Sequence, residues 1–473
     1  MIISREYEQE ALHDLLTKEE PQFCAVYGRR RVGKTYLIRE TFNYKFCFQH
    51  TGLAKGTLRE QLESFKNSLK SYGLTTCTCP KSWLEAFEML KEVVKRAPEG
   101  KKVIFIDELP YMDTPKSKMI TALESFWNGW ATARPEKDIV LIVCGSSTSW
   151  ITKKLVRNRK GLRGRLTKKL KINPFTLAEC EKYAKMADLK MTRKDILETY
   201  MILGGIPYYW SFLQRGYSVA QNIDKLFFSI NADLDDEFDV LYGTLSKRPE
   251  KYLEVIQALS KKKCGLTRDE ILKSTKLTDG GSFTKILKAL VESGFIRHYV
   301  SYKTPKKGGL YQLVDNYTLF YYHCIKKNAF SDENYWLHTY LSNEHNVWSG
   351  LAFERVCLQH TTQMKEALGI SGILVNVCSW QTESNVNHPG AQIDLLFTRA
   401  DNVINVFEMK YAKDKYTINA KFAEDLQTKI STFETVTNSK CAIHPVIVTT
   451  YGVTHNEYWN ILQCELTMDD LFR

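Results

Sequence analysis

Apolar residues come in short, uninterrupted runs over the first third of the chain, and segments with helical periodicity separate these runs. The runs "FCAVYG", "KVIFID" and "DIVLIVCG" are apolar at nearly every position, which is typical of strands buried on both faces of a sheet. Strands that alternate with helices form parallel sheets, because a helix provides the connection back to the next strand. The pattern over residues 1–170 therefore predicts an α/β fold with a parallel sheet covered by helices on both faces.

The spacing of apolar positions changes after this region. Residues 175–235 alternate apolar and polar at helical spacing, which predicts a small helical lid, and the acidic stretch 231–240 resembles a solvated linker. Three short helices are then predicted, over about residues 250–261, 267–275 and 282–293. Thr267 is expected as the N-cap of the second of these helices, with Glu270 as its reciprocal partner.

Beyond these helices the pattern predicts more β structure. "IRHYVSY" and "LYQLVD" alternate around "KTPKKGG", which predicts a hairpin with a basic tip. An amphipathic helix, "VWSGLAFERVCLQHTTQMKEAL", then precedes several apolar runs that predict a small mixed sheet. The predicted domains, in chain order, are residues 1–172, 173–240, 241–330 and 331–473.

The loop after the first apolar run carries the pattern GxxxxGK[ST]. Its eight residues are Gly28, Arg29, Arg30, Arg31, Val32, Gly33, Lys34 and Thr35. Glycines let the backbone amides of such a loop curl around phosphate oxygens, and the N-terminus of the following helix adds partial positive charge. Lys34 is expected to reach the β- and γ-phosphates of a nucleoside triphosphate, and the Thr35 hydroxyl is expected to bind Mg²⁺. The alternative is a chance turn of glycine and lysine without a ligand.

Two further strands end in polar residues. Asp107 and Glu108 follow one apolar run, and Ser146 and Ser147 follow another. In phosphoryl-transfer sites of this kind one acid holds Mg²⁺ and a second polar group orients the attacking water. We therefore expect Asp107 to contact metal and nucleotide, Glu108 to be catalytic, and Ser146 or Ser147 to sense the γ-phosphate. For Glu108 the alternative is a solvated acid at a strand end.

Several segments carry a resemblance to a known family. "GRRRVGKT", "VIFIDELPY", "VCGSS", "GRLTKKLKINPF" and "LGGIPYYW" resemble the archaeal-type P-loop ATPase family, which is related to the AAA+ and STAND ATPases. The resemblance implies ATP hydrolysis with Mg²⁺ as cofactor, and it implies that Pro207 packs near adenine unless "GGIP" only ends a helix. The basic segment with Arg163 and Arg165 is either a solvated surface or the source of an arginine finger for a neighbouring subunit.

The three middle helices and the hairpin after them have the order of a winged helix-turn-helix. In that arrangement the third helix faces the bases of DNA, and basic residues of helix and wing face phosphates. The residues expected at this interface are Ser282, Thr284, Lys285 and Lys288 on the helix, and Lys303, Lys306 and Lys307 on the wing. A packing module without DNA contact is the alternative.

An acid and a base lie two residues apart in the last third of the chain. Glu408 and Lys410 point to one face of the predicted strand "NVINVFEMK", because side chains alternate along a strand. The order of helices and strands around them resembles the PD-(D/E)xK nuclease core. This resemblance implies that Asp394 and Glu408 bind Mg²⁺ or Mn²⁺, that Lys410 positions the attacking water, and that Glu354 completes the metal site. The alternative is a structural Glu408–Lys410 ion pair in an inactive nuclease fold.

The composition of the chain indicates which class of partner it binds and in which cellular compartment it is expected. The chain has 473 residues, 44% of them hydrophobic and 25% charged, and its net charge of +12 favours an anionic partner such as DNA. Twelve cysteines without a CxxC pair or zinc-finger spacing favour reduced thiols. No secretory pattern opens the sequence and no apolar run reaches the roughly 18 residues that span a membrane. We therefore expect a cytoplasmic protein without membrane contact.

These features together predict a Mg²⁺-dependent ATPase that couples ATP binding and hydrolysis to DNA binding and to metal-dependent DNA cleavage. Two alternatives stay open. One is a STAND-like signalling or effector switch in which ATP governs assembly. The other is an ATP-gated DNA-binding regulator whose nuclease fold is inactive. Assembly into a homo-oligomer is compatible with each of these functions.

Overall fold

The computed structural model describes every residue except 1, 158–160, 163, 244–247, 303–308, 328–331, 341 and 387. Four residues of the predicted interfaces lie outside this description, namely Arg163, Lys303, Lys306 and Lys307. The chain divides into two units, Met1–Pro174 and Phe175–Arg473. The first unit ends near residue 172, the predicted end of the first domain, which stays a prediction. The three smaller domains predicted after it all fall in the second unit, and their boundaries stay predictions.

A five-stranded parallel sheet forms the centre of the first unit. Its strands are β1 (Gln22–Gly28), β2 (Phe48–Thr51), β3 (Lys102–Asp107), β4 (Ile139–Gly145) and β5 (Lys168–Ile172). Their order is β2-β3-β4-β1-β5 and every pairing is parallel. The parallel α/β sheet predicted from the apolar runs is therefore confirmed. Because β4 lies between β1 and β3, the carboxyl ends of these three strands meet at one edge of the sheet.

Helices pack around this sheet. Those in the described residues are α1 (Glu6–Thr17), α2 (Lys34–Thr41), α3 (Leu58–Ser71), α4 (Trp83–Arg96), α5 (Leu109–Met112), α6 (Met119–Phe126) and α7 (Thr148–Ile151). The last two continue into π-helical turns, Trp127–Ala131 and Thr152–Val156. Thr57 and Glu60 form a capping box that starts α3, and Ser82 caps α4. Aromatic side chains such as Phe65 and Trp83 then bury these helices against the strands.

The second unit begins with a helical region. Its helices are α8 (Leu177–Met186), α9 (Arg193–Leu203), α10 (Pro207–Trp210), α11 (Val219–Phe227) and α12 (Glu237–Gly243). The helical character predicted for residues 175–235 is confirmed. The acidic stretch 231–240, predicted as a linker with a solvated face, has exposed acids at Asp233, Asp235 and Asp236, and its last part belongs to α12. Leu234 and Phe238 are buried within this acidic stretch, and Glu237 is 1% exposed and accepts a hydrogen bond from Tyr209. The apolar residues fix the segment to the protein despite its negative charge.

Three helices and a small antiparallel sheet follow. They are α13 (Glu250–Ser260), β6 (Leu266–Thr267), α14 (Arg268–Ser274), α15 (Gly281–Glu292), β7 (Ile296–Tyr299) and β8 (Leu310–Leu313). The strand order is β6-β8-β7, with β8 antiparallel to both neighbours. The helices lie at the predicted positions, and Thr267 and Glu270 form the predicted capping box.

The remainder of the second unit is built on a mixed five-stranded sheet. Its helices are α16 (Asn316–Phe320), α17 (Tyr335–Thr339), α18 (Asn343–Gln359), α19 (Thr361–Ala367) and α20 (Ala420–Thr437). Its strands are β9 (Val375–Thr382), β10 (Ala391–Arg399), β11 (Val403–Lys410), β12 (Tyr416–Thr417), β13 (Ala442–Thr449), β14 (Val453–Thr454) and β15 (Cys464–Thr467).

The order in this sheet is β15-β13-β11-β10-β9, and β12 pairs separately with β14. Strands β9, β10 and β11 are antiparallel neighbours, whereas β11, β13 and β15 are parallel. Helix α18 packs against β11 and α20 packs against β10. The sheet is mixed, as the sequence predicts.

Two global expectations can be compared with the fold. Among the residues that the structure describes, no helix is both long enough and apolar enough to cross a membrane. All twelve cysteines are free thiols; several are buried, as expected, but Cys79 and Cys464 are exposed.

Candidate functional sites

The loop between β1 and α2 has a backbone conformation that favours glycine. Gly28 has φ 153° and Gly33 has φ 87°, and Arg31 between them is also left-handed with φ 68°. A Cβ atom at position 28 would lie 2.2 Å from the carbonyl oxygen of Ile172 on β5. A larger residue there would have to displace the strand. The loop thus curls tightly at the end of β1 and leads directly into the N-terminus of α2, which is the geometry of an anion cradle.

Lys34 and Thr35, the first residues of α2, bring a positive charge and a hydroxyl to this loop. The buried Lys34 ammonium donates to the carbonyl oxygens of Gly28, at 3.1 Å, and Arg29, at 2.8 Å. The Thr35 hydroxyl donates to Oδ2 of Asp107, at 2.8 Å. Asp107 is the last residue of β3 and is 4% exposed. A hydroxyl and a carboxylate in contact beside a phosphate-binding loop fit the oxygen ligands that Mg²⁺ prefers.

Glu108 follows directly and takes a less common backbone conformation. Its φ of 46° and ψ of 42° are left-handed, and its backbone N–H donates to the Asp107 carboxylate at 2.9 Å. Its own carboxylate oxygen Oε2 accepts from the backbone N–H of Ser146, at 3.2 Å, and from the Ser146 hydroxyl, at 3.0 Å. Because β3 and β4 are adjacent strands, Ser146 at the end of β4 can bind the Glu108 carboxylate at the end of β3.

The other residues predicted for this site take varied positions. Arg29 and Val32 in the loop are buried, and Arg30 is partly exposed. Ser147 precedes α7, and Arg165 is exposed in a turn before β5. Pro207 belongs to the second unit, where it is the first residue of α10 after a turn at Gly204, whose φ is 59°. That turn agrees with the helix-ending alternative; contact of Pro207 with adenine stays a prediction.

A cleft of about 440 Å³ in the second unit brings together three residues predicted as one site. Asp394, Glu408 and Lys410 all line it. The other lining residues are Lys263, Cys264, Gly390, Ala391, Gln392, Phe422, Asp425, Leu426, Thr428 and Lys429. Strands β10 and β11 supply Asp394 and Glu408, and α20 supplies one wall together with a third acid, Asp425. The cleft therefore combines carboxylates and ammonium groups, which is the charge pattern expected for a site that handles phosphodiesters.

Asp394 reaches this cleft through the regular alternation of side chains along β10. Ile393 and Leu395 are buried while Asp394 between them is half-buried, and the pairing of Leu395 with Phe407 puts Asp394 beside Glu408 on β11. The pairing between β10 and β9 shifts by one residue between Ile393 and Leu396, next to Asp394. Its carboxylate accepts from the Gln392 amide at 2.5 Å.

Glu408 is bonded to two lysines. Its Oε1 accepts from Lys429 on α20, and its Oε2 lies 3.7 Å from the Lys410 ammonium. The Glu408 side chain is 14% exposed, whereas Lys410 is 39% exposed and therefore open to solvent. The predicted alternative of a Glu408–Lys410 ion pair is thus present as a long contact, with Lys429 as the closer partner.

Glu354, which was expected to bind a metal ion together with Asp394 and Glu408, is instead bound to two cations. It is 2% exposed on α18, and its two oxygens accept from Arg355, at 2.8 Å, and from Lys263, at 2.6 Å. Burial lowers the pKa of the Lys263 ammonium, but the carboxylates of Glu354 and Asp394 more than offset this, so that the pKa lies above its ordinary value. Lys263 therefore interacts with acids of both α18 and β10.

A metal ion in this cleft would have two partly buried carboxylates, Asp394 and Glu408, as its ligands, since the third lining acid, Asp425, is exposed. In the described part of the chain, no group of three or more His, Cys, Asp and Glu side chains is arranged to hold a metal ion. Mg²⁺ is nevertheless often held by one or two carboxylates, with water completing its shell. Asp394 and Glu408 fit that description as hard oxygen donors facing one cleft. Glu354 as a third ligand stays a prediction.

Two cleft lysines were missed from the sequence. Lys263 ends the run "SKKK" before β6, and Lys429 lies in the middle of α20. Helical periodicity identifies Lys429 only as a residue on the polar face of a helix, and the lysine run gives no reason to prefer its third member. Gln392 could have been found, because it stands two positions before Asp394 on the same strand.

The predicted face of α15 is exposed in the structure. Ser282, Thr284, Lys285 and Lys288 are exposed, whereas Phe283, Ile286 and Leu287 between them are buried. The Thr284 hydroxyl accepts from Arg268 at 3.1 Å, and Lys288 lies 3.9 Å from Glu292. This polar face is available to a partner, although its contact with DNA stays a prediction.

One comparison with known proteins concerns the first unit and the beginning of the second, and another concerns nearly the whole chain. Residues 2–212 match a family described as an ATPase domain predominantly from Archaea. The chain therefore carries an archaeal-type ATPase domain at its N-terminal side. Over 433 residues it is 24% identical to an uncharacterized protein of Methanocaldococcus jannaschii, and the match covers 91% of this chain and 92% of that relative.

Solved structures give more distant similarities. The chain is similar to a Walker-type ATPase of Pyrococcus abyssi, with a TM-score of 0.49 and 17% identity, over 67% of this chain and 95% of the other. It is also similar to the ORC2 protein of Aeropyrum pernix, with a TM-score of 0.40 and 12% identity, over 76% of this chain and 95% of the other.

Proposed function

We propose that the first unit hydrolyses ATP with Mg²⁺ as cofactor and that this reaction controls the binding of DNA by the second unit. The observation that carries the proposal is the hydrogen bond between Thr35 and Asp107 beside the glycine-bent loop. A hydroxyl and a carboxylate, which hold Mg²⁺ in such sites, thus lie in contact beside this loop. The neighbouring Lys34 ammonium donates to the backbone carbonyl oxygens of Gly28 and Arg29.

Each residue of this site has a role that follows from its chemistry. The backbone amides from Gly28 to Gly33 surround the phosphates, and Lys34 neutralises their charge. Thr35 and Asp107 would hold the Mg²⁺ ion, which supplies charge stabilisation of the transferred phosphoryl group when bound. Glu108 orients and polarises the attacking water, and Ser146 fixes the carboxylate that does so.

Nucleotide binding to Lys34→Ala tests the proposal. We expect the variant to lose ATP binding in calorimetry, because the loop loses the charge that neutralises the phosphates. Lys45→Ala, an exposed lysine just after α2, is the matched control and should bind ATP as the unmodified protein does. Unchanged ATP affinity in Lys34→Ala would remove the nucleotide site.

DNA binding by the second unit is supported by the exposed polar face of α15 and by the positive net charge of the chain. Two other functions of the ATPase are distinguishable from it. ATP turnover stimulated by DNA favours coupling to DNA. Slow turnover with nucleotide-dependent assembly, measured by light scattering, favours a STAND-like signalling or effector switch. Tight sequence-specific binding without cleavage favours an ATP-gated regulator with an inactive nuclease fold.

A second candidate function, metal-dependent DNA cleavage, is supported by the common cleft of Asp394, Glu408 and Lys410. Asp394 and Glu408 would hold Mg²⁺ or Mn²⁺, which supplies an activated water and charge stabilisation when bound. Lys410, whose side chain is 39% exposed against 14% for Glu408, would contact the scissile phosphate. Glu408 must exchange its contact with Lys429 to serve as a ligand.

Two substitutions separate metal binding from cleavage. Asp394→Asn should abolish Mn²⁺ binding measured by calorimetry, because it removes the charge of a ligand. Lys410→Met should retain the metal but lose cleavage of a panel of DNA forms, because only the group facing the phosphate changes. Lys421→Met, an exposed lysine at the start of α20, is the control. If Asp394→Asn binds Mn²⁺ normally, the cleft is no metal site, and the ATPase is unaffected by that result.

A further inference from the structure

A lysine from the loop between α13 and β6 reaches an acid on α18. The ammonium of Lys263 lies 2.6 Å from Oε2 of Glu354, and the stem of the side chain is largely exposed. The position of this lysine is fixed by its backbone, since its carbonyl oxygen accepts from the guanidinium of Arg355 and, at 2.7 Å, from the amide of Gln312. Two side chains thus hold the residue whose ammonium binds Glu354.

The charges around Glu354 make this contact more than a surface ion pair. Glu354 is 2% exposed and Arg355 is 1% exposed, so one of the two cations that serve this carboxylate is itself buried. A buried carboxylate that loses a partner keeps the cost of its removal from water without the compensating attraction. Lys263 also lines the cleft beside Asp394. The Lys263 ammonium therefore binds Glu354, which was predicted to complete a metal site, and it lies beside Asp394, a second predicted ligand of that site.

We propose that Lys263 is a built-in cation of the acidic cleft, which competes with a divalent metal ion for the carboxylates of Glu354 and Asp394. The proposal rests on the proposed metal-dependent function of the same cleft. An ammonium brings one charge and three hydrogen-bond donors, whereas Mg²⁺ or Mn²⁺ brings two charges and takes about six oxygen ligands. Both cannot occupy the same carboxylate oxygen. Binding of a metal ion by Glu354 therefore requires Lys263 to leave that carboxylate, and a metal ion held by Asp394 is repelled by the ammonium beside it.

The position of Lys263 in the chain would allow this competition to regulate the affinity of the cleft for metal. Lys263 belongs to the loop between α13 and β6, in the segment whose helix α15 is proposed to face DNA. The acids that line the cleft lie on β10, β11 and α20, and Glu354, which binds Lys263, lies on α18. Withdrawal of that loop would leave the acids with one cation fewer and raise their affinity for metal. The packing of one segment thereby sets the metal affinity of another.

Metal affinity of the full chain tests the proposal, with Mn²⁺ as the probe and titration calorimetry as the readout. Lys263→Met should bind Mn²⁺ at least about tenfold more tightly than the unmodified protein, because a positive charge close to two acids is removed. Lys263→Arg, which keeps that charge, should bind as the unmodified protein does. Lys262→Met removes the same charge from the neighbouring lysine, which does not belong to the described lining of the cleft, and should change the affinity by no more than about twofold.

A second readout follows the lysine itself. Acylation of Lys263 by an amine-reactive ester, measured by peptide mass spectrometry, should become faster when Mn²⁺ is added, because the released ammonium is no longer bonded to Glu354. Thermal unfolding of each variant establishes that it is folded. Unchanged or weaker Mn²⁺ binding by folded Lys263→Met overturns the proposal, and so does an equal gain in Lys262→Met or an acylation rate that does not respond to bound metal.

The outcomes also separate this proposal from the metal site on which it rests. If the unmodified protein binds Mn²⁺ and Asp394→Asn abolishes that binding, the metal site stands. In that case a failure of Lys263→Met to gain affinity overturns only the competition by Lys263. If neither the unmodified protein nor Lys263→Met binds Mn²⁺ at millimolar concentration, both the metal site and the competition are overturned.

Discussion

Glu108 combines two features that single residues rarely show together. Its backbone is left-handed, a conformation that costs a non-glycine residue about 1–2 kcal/mol, and its carboxylate accepts two hydrogen bonds from Ser146. The conformation persists because Asp107 accepts from the Glu108 N–H while the residue starts α5. The backbone strain therefore serves to place two adjacent acids with different tasks, Asp107 toward Thr35 and Glu108 toward Ser146.

Substitution of Glu108 by Gln is expected to separate binding of ATP from its hydrolysis. The amide preserves the size of the side chain but cannot polarise water, and loss of such a group lowers rates by about 100-fold or more. ATP affinity should stay close to that of the unmodified protein, since the loop, Lys34 and Thr35 are unchanged. Calorimetry with ATP and a phosphate-release assay measure the two effects.

The matched control is Asp113→Asn, a neighbouring acid that accepts from the Trp150 indole and lies outside the phosphate-binding loop. It should hydrolyse ATP at nearly the normal rate. Normal turnover by Glu108→Gln would mean that this acid only ends a strand and that another residue orients the water.

At the scale of elements, α15 is the clearest candidate for a contact with phosphates. Its buried residues fix the helix, and its exposed Lys285 and Lys288 remain on the outer face. Each phosphate contact that a lysine makes contributes roughly 0.9 to the slope of log affinity against log salt. The double variant Lys285→Gln/Lys288→Gln should therefore reduce that slope by about 1.8 and weaken binding at low salt.

Fluorescence anisotropy with duplex DNA at several salt concentrations measures this slope. Lys185→Gln/Lys190→Gln removes two exposed lysines from the α8 region of the same unit and should leave the slope unchanged. A slope that is equal in both double variants would assign α15 to packing or to another partner. The lysines Lys303, Lys306 and Lys307 of the predicted wing are expected to act in the same way when replaced together.

The elements show how far the sequence alone can lead. The phosphate-binding loop was predictable because all its residues are consecutive and its glycines have a local conformational reason. The cleft was predictable only in part, because Glu408 and Lys410 lie on one strand whereas Lys263 and Lys429 come from distant elements. The position of Asp394 beside Glu408 depends on the pairing of β10 with β11. Such long-range pairing leaves no local pattern in the sequence.

At the scale of the whole molecule, three buried histidines link the fold to pH. Burial lowers the pKa of His50, His345 and His360 to about 4 each, and nearby lysines add to the effect at His345. His360 shows why the neutral ring is needed. Its Nδ1–H donates to the carbonyl oxygen of Val356 at 2.8 Å, and its Nε2 accepts from the backbone N–H of Leu177 at 3.1 Å. A doubly protonated ring could not accept that second bond.

The sign of the pH effect follows from these pKa values. An unfolded histidine titrates near 6.5, so below that pH the unfolded chain binds protons that the folded chain refuses until about pH 4. The stability contribution of each neutral histidine is therefore complete above pH 6.5 and is lost as the pH falls from 6.5 to 4. A shift of this size corresponds to about 3 kcal/mol for each fully buried ring at most.

The thermal midpoint should accordingly fall steeply between pH 6.5 and pH 4 and change little between pH 6.5 and pH 8. His360→Gln tests whether the buried rings cause the fall, because an amide can donate to Val356 and accept from Leu177 without titrating. We expect a lower midpoint for this variant at pH 7.5 but a shallower decline with acid. His13→Gln, at an exposed position on α1, should decline as the unmodified protein does. Parallel curves for all three proteins would mean that carboxylates, rather than the neutral His360, limit stability in acid.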